Sequence, residues 1–156
     1  SQQLGIKRSE AKELIDQYFS RYPDLKGYMD GIVEKARKDG YVKTLMGRRR
    51  YLRDIDSRNG VLRSHAERNA INTPVQGTAA DMIKIAMVRI NDIFEKEQFR
   101  SKMILQVHDE LVFDAHKSEL DTIKPIIEEH MVNAIPNLNV PILVEMGEGK
   151  NWREAH

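Results

Sequence analysis

The 156-residue sequence contains no cysteine. A disulfide framework and thiolate chemistry are thereby excluded, and an intracellular setting is permitted. No apolar run approaches the roughly 20 residues that a membrane-spanning helix needs, and the first residues carry neither the basic start nor the apolar stretch of a signal peptide. The chain therefore reads as soluble and cytoplasmic, without a membrane partner. Glycine-rich phosphate loops, zinc-ligand spacings and a serine nucleophile elbow are all missing, which removes the enzyme classes built on them. There is no internal repeat and no low-complexity segment.

What is present suffices for a core. Hydrophobic residues make up 40% and charged residues 31%, a balance that argues against disorder, and the length suggests one compact body rather than two well-buried domains. The net charge of +1 hides a strong asymmetry. Residues 43–68 hold 8 Lys and Arg against 3 acids, whereas residues 107–156 hold 10 acids against 4 bases. One segment can attract a polyanion while another gathers carboxylates, as a cation site requires; two solvated surfaces would give the same arithmetic.

Apolar spacing predicts a helix over about 8–20 (Ala11, Leu14, Ile15, Tyr18, Phe19) and a second from Pro23 to a left-handed cap at Gly40, the two forming a helical hairpin. Tyr41–Leu45 and Arg50–Leu52 read as a small exposed β-ribbon around Met46-Gly47-Arg48, carrying Arg48, Arg49 and Arg50. From about Val61 to Glu97 the period is helical, with Val75, Ala79, Met82, Ile83, Ala86, Met87, Ile90 and Phe94 on one side. Pro74 makes this either two helices or, preferably, one kinked helix. Met103–Val107 and Leu111–Phe113 read as a hairpin closed by His108-Asp109-Glu110. Ser118, with Asp121 three residues on, opens a helix to about Ala134, and Val140–Met146 reads as a final strand. The order implies α+β with an antiparallel sheet.

Three groups of residues can carry chemistry. Asp109 and Glu110 are adjacent carboxylates at a turn held by two apolar strands, and hard cations such as Mg²⁺ prefer oxygen ligands of this kind. Taken alone, the acidic turn fits a solvated loop as well. His108 could donate to a sugar or phosphate oxygen beside such a metal. Arg68, Asn72 and Gln76 recur every four residues, so one helix face presents a row of donors suited to the acceptors of the minor groove. A polar solvent face is the plain alternative, weakened by the small and apolar neighbours Ala70, Ile71, Ala79 and Ala80. Arg48, Arg49, Arg50, Arg53, Arg58 and Arg63 match phosphate oxygens but also occur as ordinary surface. Trp152 reads as a packing anchor.

The run Gln106-Val107-His108-Asp109-Glu110-Leu111-Val112-Phe113 resembles motif C of the family A DNA polymerases, and Ala66 through Asp81, with Arg68, Asn72, Pro74 and Gln76, is similar to the helix that precedes it. Thr44-Leu45-Met46-Gly47-Arg48-Arg49, Tyr18-Phe19 to Tyr22-Pro23, and Gly149-Lys150-Asn151-Trp152 to His156 are similar in the same order, so the resemblance covers essentially the whole chain. Leu62 and Pro125 are minor departures.

The resemblance implies template-directed nucleotidyl transfer with two Mg²⁺ ions, on primer-template DNA and deoxynucleoside triphosphates. Asp109 is the implied metal ligand and catalytic residue, and Glu110 its supporting carboxylate. His108 is placed by the primer terminus, and Arg63, Arg68, Asn72 and Gln76 on primer and template. Residues 1–60 correspond to part of the fingers and 61–156 to part of the palm, with the motif C hairpin of an antiparallel palm sheet packed on helices. Motif A, with the second aspartate, and motif B lie upstream of the matched region, and Ser1–Gly5 look like the sequence that follows motif B. The expectation is a C-terminal fragment, inactive alone, of a parent that is monomeric. A non-catalytic duplex-binding module is the alternative, and a metal-dependent nuclease a third.

Overall fold

A computed structural model of the chain describes residues 7–155; the expected match of Ser1–Gly5 lies outside them. The expectation of one compact body is corrected, because the chain divides into two compact units, Ser1–Val75 and Gln76–His156. One long helix contributes to both, and its side chains explain the division. Ala66 and Ala70 are buried in the first core and Ala86, Ile90 and Phe94 in the second, while the buried residues between are polar: Thr73, Thr78 and Asp81. An apolar stripe interrupted in this way cannot serve one continuous core.

In the first unit, α1 (Arg8–Arg21) is followed after Tyr22 alone by α2 (Pro23–Asp39). Proline opens α2 because the first helical position needs no donor. Gly40 closes it at φ 76°, in the left-handed region that glycine enters without a Cβ penalty, and its N–H donates to Ala36 O. The apolar face of α1 is not covered as its periodicity suggests: Leu14, Ile15 and Tyr18 are about half exposed. Only the second half of α2 turns inward, with Ile32, Val33 and Ala36 packing with Val42, Leu52 and Ile55. The ribbon is present, as β1 (Tyr41–Lys43) paired antiparallel with β2 (Arg49–Tyr51). Helix α3 (Gly60–Lys96) begins at Asn59, whose side-chain oxygen accepts the Val61 N–H at 2.9 Å. This is the capping bond that satisfies one of the orphan donors of a first turn. Pro74 sits inside α3, which is one helix and not two.

In the second unit α3 buries a narrower face than the spacing suggests, since Val75 at the end of the first unit is 65% exposed and Ala79 is exposed too. The helix ends in a Schellman turn. Gln98 adopts φ 57°, the Phe99 N–H donates to Phe94 O at 3.0 Å, and the two rings meet at 5.3 Å. Strands β3 (Lys102–Val107) and β4 (Glu110–Asp114) form the expected hairpin. The α4 helix (Leu120–Val132) starts later than Ser118 implies. Ser118 Oγ pairs with the His116 ring at 2.8 Å rather than capping, and a 3₁₀ turn, Lys117–Glu119, intervenes. The predicted final strand is not formed: Val140–Met146 has no regular structure, and Leu143 is 89% exposed. Both sheets of the described residues are two-stranded, and an extended segment whose backbone groups find no neighbouring strand makes no ladder. A last short helix, α5 (Trp152–Ala155), carries a half-exposed Trp152, which is not the buried anchor expected. The architecture is α+β, mixed helix with small antiparallel sheets. Among the described residues no helix is long and apolar enough to cross a membrane.

Candidate active site

The β3–β4 hairpin is fixed at its base and exposed at its tip. Met103, Leu111 and Phe113 pack against the core that α3 and α4 share, with Phe113 5.8 Å from the Phe94 ring. At the root, the Glu119 carboxylate accepts three hydrogen bonds, from Arg100 N, Ser101 N and Ser101 Oγ, and the same buried hydroxyl accepts the His116 N–H at 2.9 Å. The hydrogen bond from the Ser101 hydroxyl, helped by those from the backbone, holds the Glu119 carboxyl down to about 2. One side chain thus ties the entry of β3 and the exit of β4 to the start of α4.

The strands alternate regularly except between Met103 and Leu105, where one extra residue on β3 makes a bulge. Beyond it Gln106 pairs with Leu111 and Val107 with Glu110. The turn is therefore the two residues His108 and Asp109, and Glu110 belongs to the first position of β4. Two-residue hairpin turns match the twist of their strands through positive φ, and His108 supplies it at φ 52°. Gln106 Nε2 donates to His108 O at 2.5 Å and fixes the turn from below.

His108, Asp109 and Glu110 are thus brought together, His108 and Asp109 exposed and Glu110 half-buried. Carboxylate oxygens presented this way suit a hard divalent cation that retains water and substrate ligands. Among the described residues no group of three or more His, Cys, Asp or Glu is gathered so that it could hold a metal ion.

Arg63, Arg68, Asn72 and Gln76 all lie on α3. Arg68, Asn72 and Gln76 are exposed along the side that the four-residue spacing defines, next to buried Ala70 and Thr73. Arg63 is already engaged, its Nη1 donating to Ser57 O at 3.1 Å and its Nε lying 3.9 Å from Glu67. On the ribbon Arg48, Arg49 and Arg50 are exposed; Arg49 stacks over the Tyr41 ring at 4.8 Å, and Arg50 reaches Thr73 Oγ1 at 3.2 Å.

Two polar residues that hold these elements escape sequence reasoning. Arg37 donates to Ile55 O at 2.5 Å, to Asp56 Oδ1 at 2.8 Å and to Glu67, and the Asp56 hydrogen bond raises its pKa further above the ordinary value. Its partners are 18 to 30 residues away in sequence, beyond the reach of any spacing rule. Glu119 sits beside the serine that mimics a cap, so local pattern points to the wrong residue.

The exposed acidic hairpin tip and the donor-bearing face of α3 are the two polar features of the site, and comparison with known proteins identifies the class. The family description "DNA polymerase family A" matches residues 1–154, and the chain belongs to that family. Its relatives are bacterial DNA polymerase I proteins. That of Streptococcus pneumoniae serotype 4 is 50% identical over 155 residues, covering 99% of this chain. Those of Caldicellulosiruptor bescii and Mycobacterium bovis are 47% and 45% identical over 97% and 99% of it. The chain spans only 17% to 18% of the length of these relatives. Among solved structures, the POL domain of Pol1 from M. smegmatis, in complex with DNA primer-template and dNTP, is similar with a TM-score of 0.94 and 45% identity. That match covers 99% of this chain and 27% of the other.

Proposed function

We propose that this chain carries the primer-terminus and metal-ligand end of a DNA-directed DNA polymerase, acting within a full-length enzyme. In that reaction the primer 3′-hydroxyl gives up its proton to solvent as its oxygen bonds to the α-phosphorus of a deoxynucleoside triphosphate, the bond from that phosphorus to the bridging oxygen breaks, and pyrophosphate leaves. The observation that carries the reading is the placement of Asp109. A carboxylate at the exposed tip of a hairpin whose base is locked into a core is preorganised, and preorganised charge is what such a transfer rewards.

Asp109 would supply hard oxygens to Mg²⁺ and Glu110 would support it; the two ions would supply Lewis-acid stabilisation of the charge that develops in the transfer. His108 holds its ring toward a sugar or phosphate oxygen of the primer end. Arg68, Asn72 and Gln76 donate to minor-groove acceptors, which lets them follow a duplex irrespective of its sequence, and Arg63 adds a phosphate contact. Residues 1–60 act as part of the fingers and 61–156 as part of the palm. Because the chain spans only 17% to 18% of the length of its relatives, turnover is assigned to the full-length polymerase and not to the described residues alone.

In a full-length polymerase carrying these residues, Asp109→Ala should abolish incorporation while primer-template binding persists. Near-normal turnover by that variant refutes the assignment. A second reading, a duplex-binding module without catalysis, is favoured by the exposed arginines of the β1–β2 ribbon; duplex affinity indifferent to Mg²⁺ would select it.

A further inference from the structure

We infer that Arg37 is a positioning residue for primer-template engagement, acting through Glu67 to keep Arg63 available to phosphate. The inference rests on the proposed role of Arg63 as a phosphate contact. Arg37 lies on α2 and touches no residue assigned to the site, yet its guanidinium holds three acceptors: Ile55 O at 2.5 Å, Asp56 Oδ1 at 2.8 Å and Glu67 Oε1. The planar fork is suited to this, since one lysine ammonium is a point charge and cannot span acceptors so disposed.

Glu67 is the contested group. It stands four residues after Arg63 on α3, the separation at which opposite charges meet on a helix, and directly before Arg68. Its Oε1 accepts from Arg37 Nη2, while Arg63 Nε remains 3.9 Å away from the same oxygen, too long for a hydrogen bond. Arg63 instead gives its hydrogen bond to a neutral acceptor, Ser57 O, and its ion pair with Glu67 at 3.9 Å is looser than the one this carboxylate makes with Arg37. Side-chain exposures of 33% for Arg37, 33% for Glu67 and 43% for Arg63 place the three at a partly screened surface, where the closest partner captures most of the interaction.

Without Arg37, Glu67 loses its partner and the adjacent arginine is the nearest cation. A closed Arg63–Glu67 pair must then be broken, or its cation left unused, each time a phosphate is bound. Arg37 also joins the loop through Ile55 and Asp56 to α3, so the carbonyl of Ser57 that holds Arg63 is supported from the same point.

The test compares Arg37→Ala, Arg37→Lys, Glu67→Gln, Arg37→Ala/Glu67→Gln and Arg63→Ala in a full-length polymerase carrying these residues. Affinity for primer-template DNA is measured over a range of salt, with KM for DNA and kcat alongside. Losing one phosphate contact should weaken binding roughly 3- to 10-fold and reduce the salt slope by about one. Arg37→Ala and Arg37→Lys should show this loss, with KM rising far more than kcat falls. The double variant should recover the slope, because the freed carboxylate has been removed. A role in folding alone predicts no recovery by the second substitution, so a double variant as weak as Arg37→Ala overturns the inference. If Arg63→Ala moves the slope and Arg37→Ala does not, the inference alone falls. If Arg63→Ala leaves the slope unchanged, the reading of Arg63 falls and takes the inference with it.

Discussion

Replacing His108 by glycine separates what the hairpin tip costs the fold from what it does for the reaction. His108 adopts φ 52°, a conformation that costs an ordinary L-residue about 1–2 kcal/mol through the close approach of Cβ to the following carbonyl. Glycine escapes that cost but brings a more flexible unfolded chain, which takes back about 0.4–1 kcal/mol. The ring is exposed, and the bond from Gln106 is accepted by the backbone carbonyl, which glycine keeps. His108→Gly should therefore stabilise the hairpin by about 1 kcal/mol, equivalent to about 2–4 °C in Tm for a chain of this size. His108→Ala keeps the unfavourable φ and should stay near the parent, and His108→Asn should fall between, as asparagine tolerates the left-handed region. Calorimetric or urea melts of the three variants give the order. The same glycine variant should slow incorporation in a full-length polymerase if the imidazole reaches the primer end. A glycine variant no more stable than the alanine one would refute the strain argument, and a more stable variant with full activity would remove His108 from the site.

Two further outcomes follow from polar anchors. The Glu119 carboxyl, normally near 4.5, is held down to about 2, so its contribution to stability is complete above about pH 4.5 and is lost as pH falls toward 2. Melts between pH 2 and 6 should show an acid limb that Glu119→Gln lacks, and superimposable profiles would count against the latch at the hairpin root. Asn59→Ala removes the cap that accepts the Val61 N–H and should cost about 1 kcal/mol in urea unfolding, whereas Asn59→Asp should be nearly neutral; equal losses from both would point to some other role for the side chain.

Elements whose information is local were legible in the sequence. The hairpin, the ribbon, Pro23 at a helix start and Gly40 at a helix end depend on neighbours two to four positions away, and each formed as spacing suggests. Motif resemblance likewise led to the family, because the run around Asp109 is contiguous. The misreadings involve distance. Val140–Met146 has a strand composition, but a strand requires a neighbour, which composition cannot supply. Leu14, Ile15 and Tyr18 have helical spacing, yet spacing does not guarantee a covering surface. Arg37 and Glu119 act on partners far along the chain, and only the fold brings those together. The placement of His108, Asp109 and Glu110 at one tip was foreseen, apart from the boundary of the turn.

The bulge ahead of the tip sets the phase of everything beyond it. Opposed residues point to the same side of a ladder, so Gln106, across from Leu111, shares a side with Met103, across from Phe113, although uninterrupted counting from Met103 would separate them. A one-residue deletion at Ile104 would remove the bulge and leave Gln106 two positions after Met103, so the pairing with Leu111 and the amide that steadies the turn would both stay on the inner side. Taking out Leu105 as well would set Gln106 directly after Met103 and turn its side chain to the opposite side. Length changes here thus act through parity counted with the bulge: losing the extra residue preserves the tip, whereas losing a ladder residue beyond it inverts the tip.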